Sequence, residues 1–290
     1  MRYPHRNIMT RALHLLGFSF LLLTSCKKDG AVPAYVQIDQ PVVVGGNGQA
    51  ISSKITDLWV YVNDQPVGVW EPGKPIPLIA EGPTNVKCIA GVRKNGVTDD
   101  RIQYPFYQTW QQTLPLEREQ TTVVHPAFLY YANLTYWLAD FDSGLRFDTT
   151  NCTATMTIVP SDSTLAGQGT GNGRINLDGS HPIYRGLSSG DPFTGIGSTA
   201  FLEVDYRSDA PLTIGVYYTY AGQAHPTPYV VAKATKRPDG SIPWNKIYVD
   251  MATPWNVPGA MDKRIYMEAS LPGGATSATV DVDNVKLVSP

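Results

Sequence analysis

The sequence predicts an all-β protein built from two antiparallel β-sandwich domains behind a cleaved signal helix. Three observations carry that expectation. After residue 26 no apolar pattern repeats every 3.6 residues over three helical turns, whereas alternation at period two recurs along the whole chain. Glycine and proline are plentiful, 26 and 23 of 290 residues, and they cluster between the alternating runs, where tight turns are needed. Charged residues make up only 17% of the chain while tyrosine reaches 16 residues, a mix that suits packed strands and not disorder.

The first 25 residues read as a targeting segment. Arg6 and Arg11 precede an apolar run over 15–23, the order of a secretory signal. That run is shorter than the roughly 20 apolar residues a spanning helix needs. Met9 serves equally well as a start, because Arg11 still supplies the basic end. Leu23-Thr24-Ser25-Cys26 then resembles the lipobox of bacterial lipoproteins: a large apolar residue, two small ones, and a cysteine. The resemblance implies cleavage before Cys26 and a diacylglyceryl group on its thiol, and more than one acyl chain gives stable anchoring. Lys27-Lys28-Asp29 resembles the stretch after the cysteine in Bacteroidota lipoproteins. With Lys at position 27 the usual inner-membrane retention signal is missing, which implies the outer membrane, on its periplasmic face or at the cell surface. Residues 26–33 are the expected tether.

Removing the signal takes away Arg2, Arg6 and Arg11 and no acid, leaving 20 basic against 25 acidic residues. A mildly acidic chain with no basic stripe is not built for nucleic acid. Two further cysteines remain, Cys88 and Cys152. Each lies in a strand-like context and reads as a buried small hydrophobe, although an oxidising compartment also permits a disulfide.

A small sandwich is expected over 34–126. Residues 35–39 alternate, and 55–62 do so again with Leu58, Val60 and Val62 on one face. Asn63-Asp64-Gln65-Pro66 reads as a hairpin turn into 67–70. Further strands fit 75–80, 84–91, 108–115 and 120–125. The stretch from Leu58 to Trp70, followed by Leu78-Ile79-Ala80-Glu81-Gly82, resembles bacterial surface modules of the PEGA and carboxypeptidase-regulatory type, over about 30 residues.

The second domain is expected over 127–290, after Pro126 and an aromatic stretch from Phe128 to Trp137. Its strands fit 145–149, 153–159, 172–178, 197–207, 212–221, 227–235, 243–251, 262–271 and 277–288. Trp244 to Met251, Arg264-Ile265-Tyr266-Met267 and Val280 to Val288 resemble the last strands of jelly-roll carbohydrate-binding modules, with Asp140-Phe141-Asp142-Ser143-Gly144 standing for the opening segment. The resemblance implies a jelly roll and glycan binding. It also implies a structural calcium held by Asp283 with Asp140 or Asp142. The same carboxylates equally suit turn capping. Independently, Val280 and Val282 share one face while Val285 and Leu287 share the other, so a bulge is expected near Asp283-Asn284.

Alternation also isolates a polar and aromatic face. Glu203, Asp205 and Arg207 stand opposite Leu202, Val204 and Tyr206; Tyr217 opposite Val216; Lys246 and Tyr248 opposite Ile247 and Val249; Arg264 and Tyr266 opposite Ile265 and Met267. On one exposed sheet these residues make a glycan platform, rings stacking on sugar faces and charged groups bonding hydroxyls. They equally suit an ordinary solvated face laced with cross-strand pairs. No HExxH, GxSxG or phosphate-loop pattern occurs. The mature chain has only six glutamates, of which Glu203 and Glu268 stand on polar strand faces as the pair a glycosidase needs. The expectation is therefore a lipid-anchored, non-catalytic glycan binder. The rivals are an adhesion lipoprotein recognising protein and a polysaccharide hydrolase.

Overall fold

The expected turn at Asn63-Asp64 forms as read: both residues adopt positive φ, 47° and 63°, and Val62 pairs with Gln65 across a two-residue loop. In the computed structural model the described residues are 31–162, 165, 169–194 and 199–290. The signal segment, Cys26 and the tether up to residue 30 lie outside them. Among the described residues no helix is long and apolar enough to cross a membrane.

The strands are, in order, β1 (Ala34–Ile38), β2 (Val42–Val44), β3 (Ala50–Ile51), β4 (Asp57–Val62), β5 (Gln65–Trp70), β6 (Pro75–Leu78), β7 (Gly82–Arg93), β8 (Arg101–Gln103), β9 (Trp110–Leu116), β10 (Thr121–Val124) and β11 (Ala127–Phe128). There follow β12 (Thr135–Ala139), β13 (Phe147–Thr149), β14 (Met156–Pro160), β15 (Gly171–Asp178), β16 (Ile183–Ser188), β17 (Phe201–Ser208), β18 (Leu212–Tyr220), β19 (Gln223–Ala232), β20 (Asn245–Asp250), β21 (Met261–Ser270) and β22 (Ser277–Ser289). A single turn of helix, α1 (Ala252–Trp255), follows β20. The chain is all-β.

In the first half a sheet ordered β5-β4-β7-β8, with β9 also on β7, faces two small sheets, β10-β1-β6 and β11-β2-β3. The alternating residues of β1, β4 and β7 meet between them: Val36, Ile38, Leu58, Val60, Val86, Cys88 and Ala90 are all buried. Gly91 is required at its position, because a Cβ there would stand 1.9 Å from the Trp59 ring. Phe128 of β11 still belongs to this core, two residues past the expected join at 126.

In the second half the sheet β14-β15-β22-β17-β20, with β12 also on β22, packs on the sheet β13-β16-β21-β18-β19 as a jelly-roll sandwich. Ile175, Leu202, Val204 and Val280 of the first sheet meet Leu212, Ile214, Ile265 and Met267 of the second. The expected bulge in β22 forms at Asn284, which adopts a φ of 46°. Asp205 faces Asp283, while Glu203 faces Lys286. The extra residue returns Val285 and Leu287 to the core that Val280 and Val282 already fill. Two strands of this half, β12 and β16, have no counterpart among the expected elements, and neither do the short strands β2, β3, β8 and β11 before them.

The two cores are joined. Phe201, Tyr248 and Val288 point out of the second sandwich and complete the first core. Asn95 N–H donates to the Tyr248 carbonyl at 2.8 Å, and Asp250 N–H donates to Asn95 Oδ1 at 2.8 Å. Cys88 is buried in the first core and Cys152 is partly buried in the second part of the chain, so both are free thiols. Burial pushes the Cys88 thiol up to about 12.

Candidate functional site

The residues predicted to share one exposed face fall on two opposite faces. Glu203, Asp205 and Arg207 on β17, with Lys246 and Tyr248 on β20, line the outer side of one sheet. Tyr217 on β18, with Arg264 and Tyr266 on β21, lines the outer side of the other. Strand order causes the split. β17 pairs with β20 and β22, whereas β18 pairs with β21 and β19, so from β17 to β18 and again from β19 through β22 the chain crosses from one sheet to the other.

The first of these faces is not a platform at all, because the N-terminal sheets cover it. Glu203 and Asp205 are 0% exposed, and Lys246 and Tyr248 are buried with them. Glu203 Oε1 accepts hydrogen bonds from the hydroxyls of Tyr104 at 2.7 Å and Tyr130 at 2.6 Å. Its Oε2 lies 3.2 Å from Lys246 Nζ and 3.7 Å from Lys286 Nζ. Lys246 also reaches Asp205 Oδ1 at 3.3 Å, which Ser52 Oγ bonds at 2.7 Å from the N-terminal side. The Tyr107 and Tyr248 hydroxyls meet at 3.2 Å, and Lys286 stands 4.6 Å from the Tyr130 ring centre. Tyr104, Phe106, Tyr107, Phe201 and Tyr248 pack edge to face or tilted around this network.

Burial alone raises the Glu203 carboxyl, but Lys286, Lys246 and the two phenols outweigh it and hold the group below the ordinary carboxylate value. Burial lowers Lys246, yet Asp205 and Glu203 more than reverse that, so its ammonium is held above the usual value. Lys286 moves the other way, its burial only partly offset by Glu203. Burial, then the Glu203 charge, drives the Tyr104, Tyr107 and Tyr130 phenols well above their ordinary value. The cluster is a charged, hydrogen-bonded seam between the two halves. Sequence pattern missed Tyr104, Tyr107, Tyr130, Lys286 and Ser52, because alternation says which side chains share a face and not what covers it.

Arg207 is also immobilised. It donates to Asp281 Oδ2 at 2.9 Å, pairs with Asp162 and lies 4.8 Å from the Trp244 ring centre, while Arg174 grips Asp281 bidentately at 2.7 and 2.8 Å.

The second face is open. Arg185 Nε donates to Glu268 Oε2 at 2.8 Å, and the Tyr266 hydroxyl donates to the same oxygen. Burial raises the Glu268 carboxyl, but these two donors together hold it below the ordinary value. Tyr266 is itself buried, so it supports Glu268 and offers no ring to solvent. Tyr217 is half-buried and pairs directly with Arg264, whose guanidinium donates to the Ser188 and Gly190 carbonyls at 2.8 and 2.6 Å. Beyond Tyr217 the edge strand β19 exposes Tyr229 beside a bulge at Gly215. Glu203 and Glu268 therefore stand on opposite sides of the sandwich and form no catalytic pair.

The three aspartates of the calcium expectation make backbone hydrogen bonds. Asp142 Oδ1 accepts hydrogen bonds from Thr170 N–H at 2.6 Å, Thr170 Oγ1 at 3.0 Å and Gly171 N–H at 3.1 Å. Asp140 Oδ1 accepts from Asp142 N–H, and Asp283 Oδ1 from Asn284 N–H. Asp140 and Asp283 cap neighbouring backbone, Asp142 ties down the distant Thr170-Gly171 segment, and among the described residues no three acids, histidines or cysteines converge on a metal position.

No protein-family profile and no curated protein matches the chain. Solved structures similar to it include three carbohydrate-binding modules. A family 28 module specific for non-crystalline cellulose overlaps 51% of this chain and 90% of its own, at 13% identity and a TM-score of 0.37. A family 61 module in complex with β-1,4-galactotriose overlaps 52% and 94%, at 14% identity and 0.35. A point mutant of a family 29 module overlaps 54% and 92%, at 14% identity and 0.34.

Proposed function

We propose that this chain is an envelope lipoprotein, anchored through Cys26 in the outer membrane, that binds glycan on the open face of its second sandwich without catalysing a reaction. One observation carries the reading. Arg264 is fixed by hydrogen bonds before any ligand arrives, directly opposite the half-exposed ring of Tyr217, and the hydrogen-bonded Arg185–Glu268 pair stands four residues further along the same sheet. A sugar ring stacks its C–H face on such an aromatic, and pre-oriented charged groups bond its hydroxyls at little entropic cost. The anchor rests on Leu23-Thr24-Ser25-Cys26 and on a tether of a few residues, which would hold the first sandwich near the membrane and the open face away from it.

Affinity electrophoresis of the purified chain through polysaccharide gels, with a glycan array to choose the polymer, tests the binding. Retention abolished by Tyr217→Ala and Arg264→Ala supports it. Retention on no polysaccharide, or retention unchanged in both variants, overturns it. Incorporation of a labelled fatty acid, lost in Cys26→Ser, tests the anchor separately.

A further inference from the structure

Where the two sandwiches meet, a cleft of about 550 Å³ opens beside the buried seam. Its walls come from both halves, residues 54, 56, 93 and 95–98 on one side and residues 206, 231–233 and 245–248 on the other. Four cations line it: Lys54, Arg93, Lys233 and Lys246. Among the described residues no aspartate or glutamate does. Lys246 is already neutralised by Glu203 and Asp205. The other three form no ion pair among the described residues, and Lys54 Nζ donates only to the neutral Asn245 Oδ1, at 2.6 Å.

Two features show that this concentration of charge is unrelieved. Arg93 Nε is buried without a hydrogen-bond partner among the described residues, although a guanidinium donor shut away from water ordinarily finds one. Burial, and then the nearby Arg93 charge, hold the Lys54 ammonium below its ordinary value, so the two cations repel one another in partly dry surroundings. A mature chain of net negative charge thus keeps a concave site lined by cations, among them an arginine with no carboxylate partner among the described residues. Guanidinium forks match the paired oxygens of carboxylates and sulfates, and low local polarity strengthens that bond. The volume is that of a small-molecule site, and Val97, Val231 and Ile247 supply apolar walls beside the amides of Asn95 and Asn245.

We propose that this cleft binds an oxyanion carried on a sugar-sized polar ligand, with Arg93 and Lys54 donating to the anion and Lys233 closing the rim. The site is distinct from the open sheet face, so either can fail while the other stands.

The test is a calorimetric titration of the purified chain with sodium glucuronate, glucose 6-sulfate and glucose. One or both acid sugars should bind saturably and lose affinity as salt is raised, with glucose not binding. Which acid sugar binds distinguishes carboxylate from sulfate. Arg93→Gln should weaken binding at least about tenfold by removing a charge-assisted donor. Lys233→Gln, at an exposed position where folding is not at stake, should weaken it by a smaller factor. Three outcomes overturn the proposal: neither acid sugar binds, glucose binds as well as they do, or both variants keep wild-type affinity within about twofold.

Discussion

The two outer faces of the second sandwich have nearly the same composition and opposite fates. Both alternate tyrosine with acids and bases on the solvent side of a strand. On β17 and β20 those side chains are sealed under the N-terminal sheets, where every charge must find a partner within the protein. On β18 and β21 all but Tyr266 remain at least partly at the surface, where water shares that task. The difference teaches that a polar strand face is not by itself a binding face. A buried charge that loses its partner is far more costly than an exposed one.

The sharpest way to break this comparison is to make the same substitution on each face. Glu203→Gln leaves Lys246 and Lys286 facing a neutral amide in a sealed site, and should cost about 3–5 kcal/mol in urea unfolding. Glu268→Gln, whose arginine partner is a third exposed, should cost about 1 kcal/mol or less. Equal losses would mean that the seam carries no more than a surface pair. The same glutamate predicts an acid signature. Its folded value is depressed, so its contribution is full above the unfolded carboxylate value and is lost as pH falls through the folded one. Melting temperature should fall as pH drops below about 4, and that fall should be shallower in Glu203→Gln.

A smaller effect probes the N-terminal contribution. Tyr104→Phe removes one donor to the Glu203 carboxylate while keeping the ring packed, and should cost about 1.5–3 kcal/mol. Tyr217→Ala on the open face should change stability by well under that while abolishing glycan retention. Were Tyr217→Ala the more destabilising of the two, the assignment of structural and functional faces would be reversed.

How much of this was legible in the sequence follows from the same contrast. Period-two alternation reports faces reliably, so the all-β class, the Asn63-Asp64 hairpin and the β22 bulge could be read from residue order. It missed β16 because the side chains buried there are Tyr184, Gly186 and Ser188, which break the aliphatic signal. It assigned Glu203 and Tyr217 to one sheet because strand order is set by long-range pairing, and β22, the last strand, inserts between β15 and β17. No local pattern encodes that insertion, or the fact that Tyr104 and Tyr130, 99 and 73 residues from Glu203 in sequence, would close over it.

The smallest expected effect is zero, and it separates the covered face from a metal site. The depression holding Asp140 and Asp142 is also lined by Lys246 and Lys286. A dication entering there would meet two ammonium groups, and would have to displace three donors already satisfied by one oxygen of Asp142. Calcium takes six to eight oxygen ligands, and the arrangement offers it repulsion in place of most of them. Melting in calcium and in EDTA should therefore coincide, since a structural ion must raise the melting temperature by mass action. A rise with calcium that vanishes in Asp142→Asn would show that the aspartates rearrange around an ion, and that the seam is held by metal as well as by Glu203.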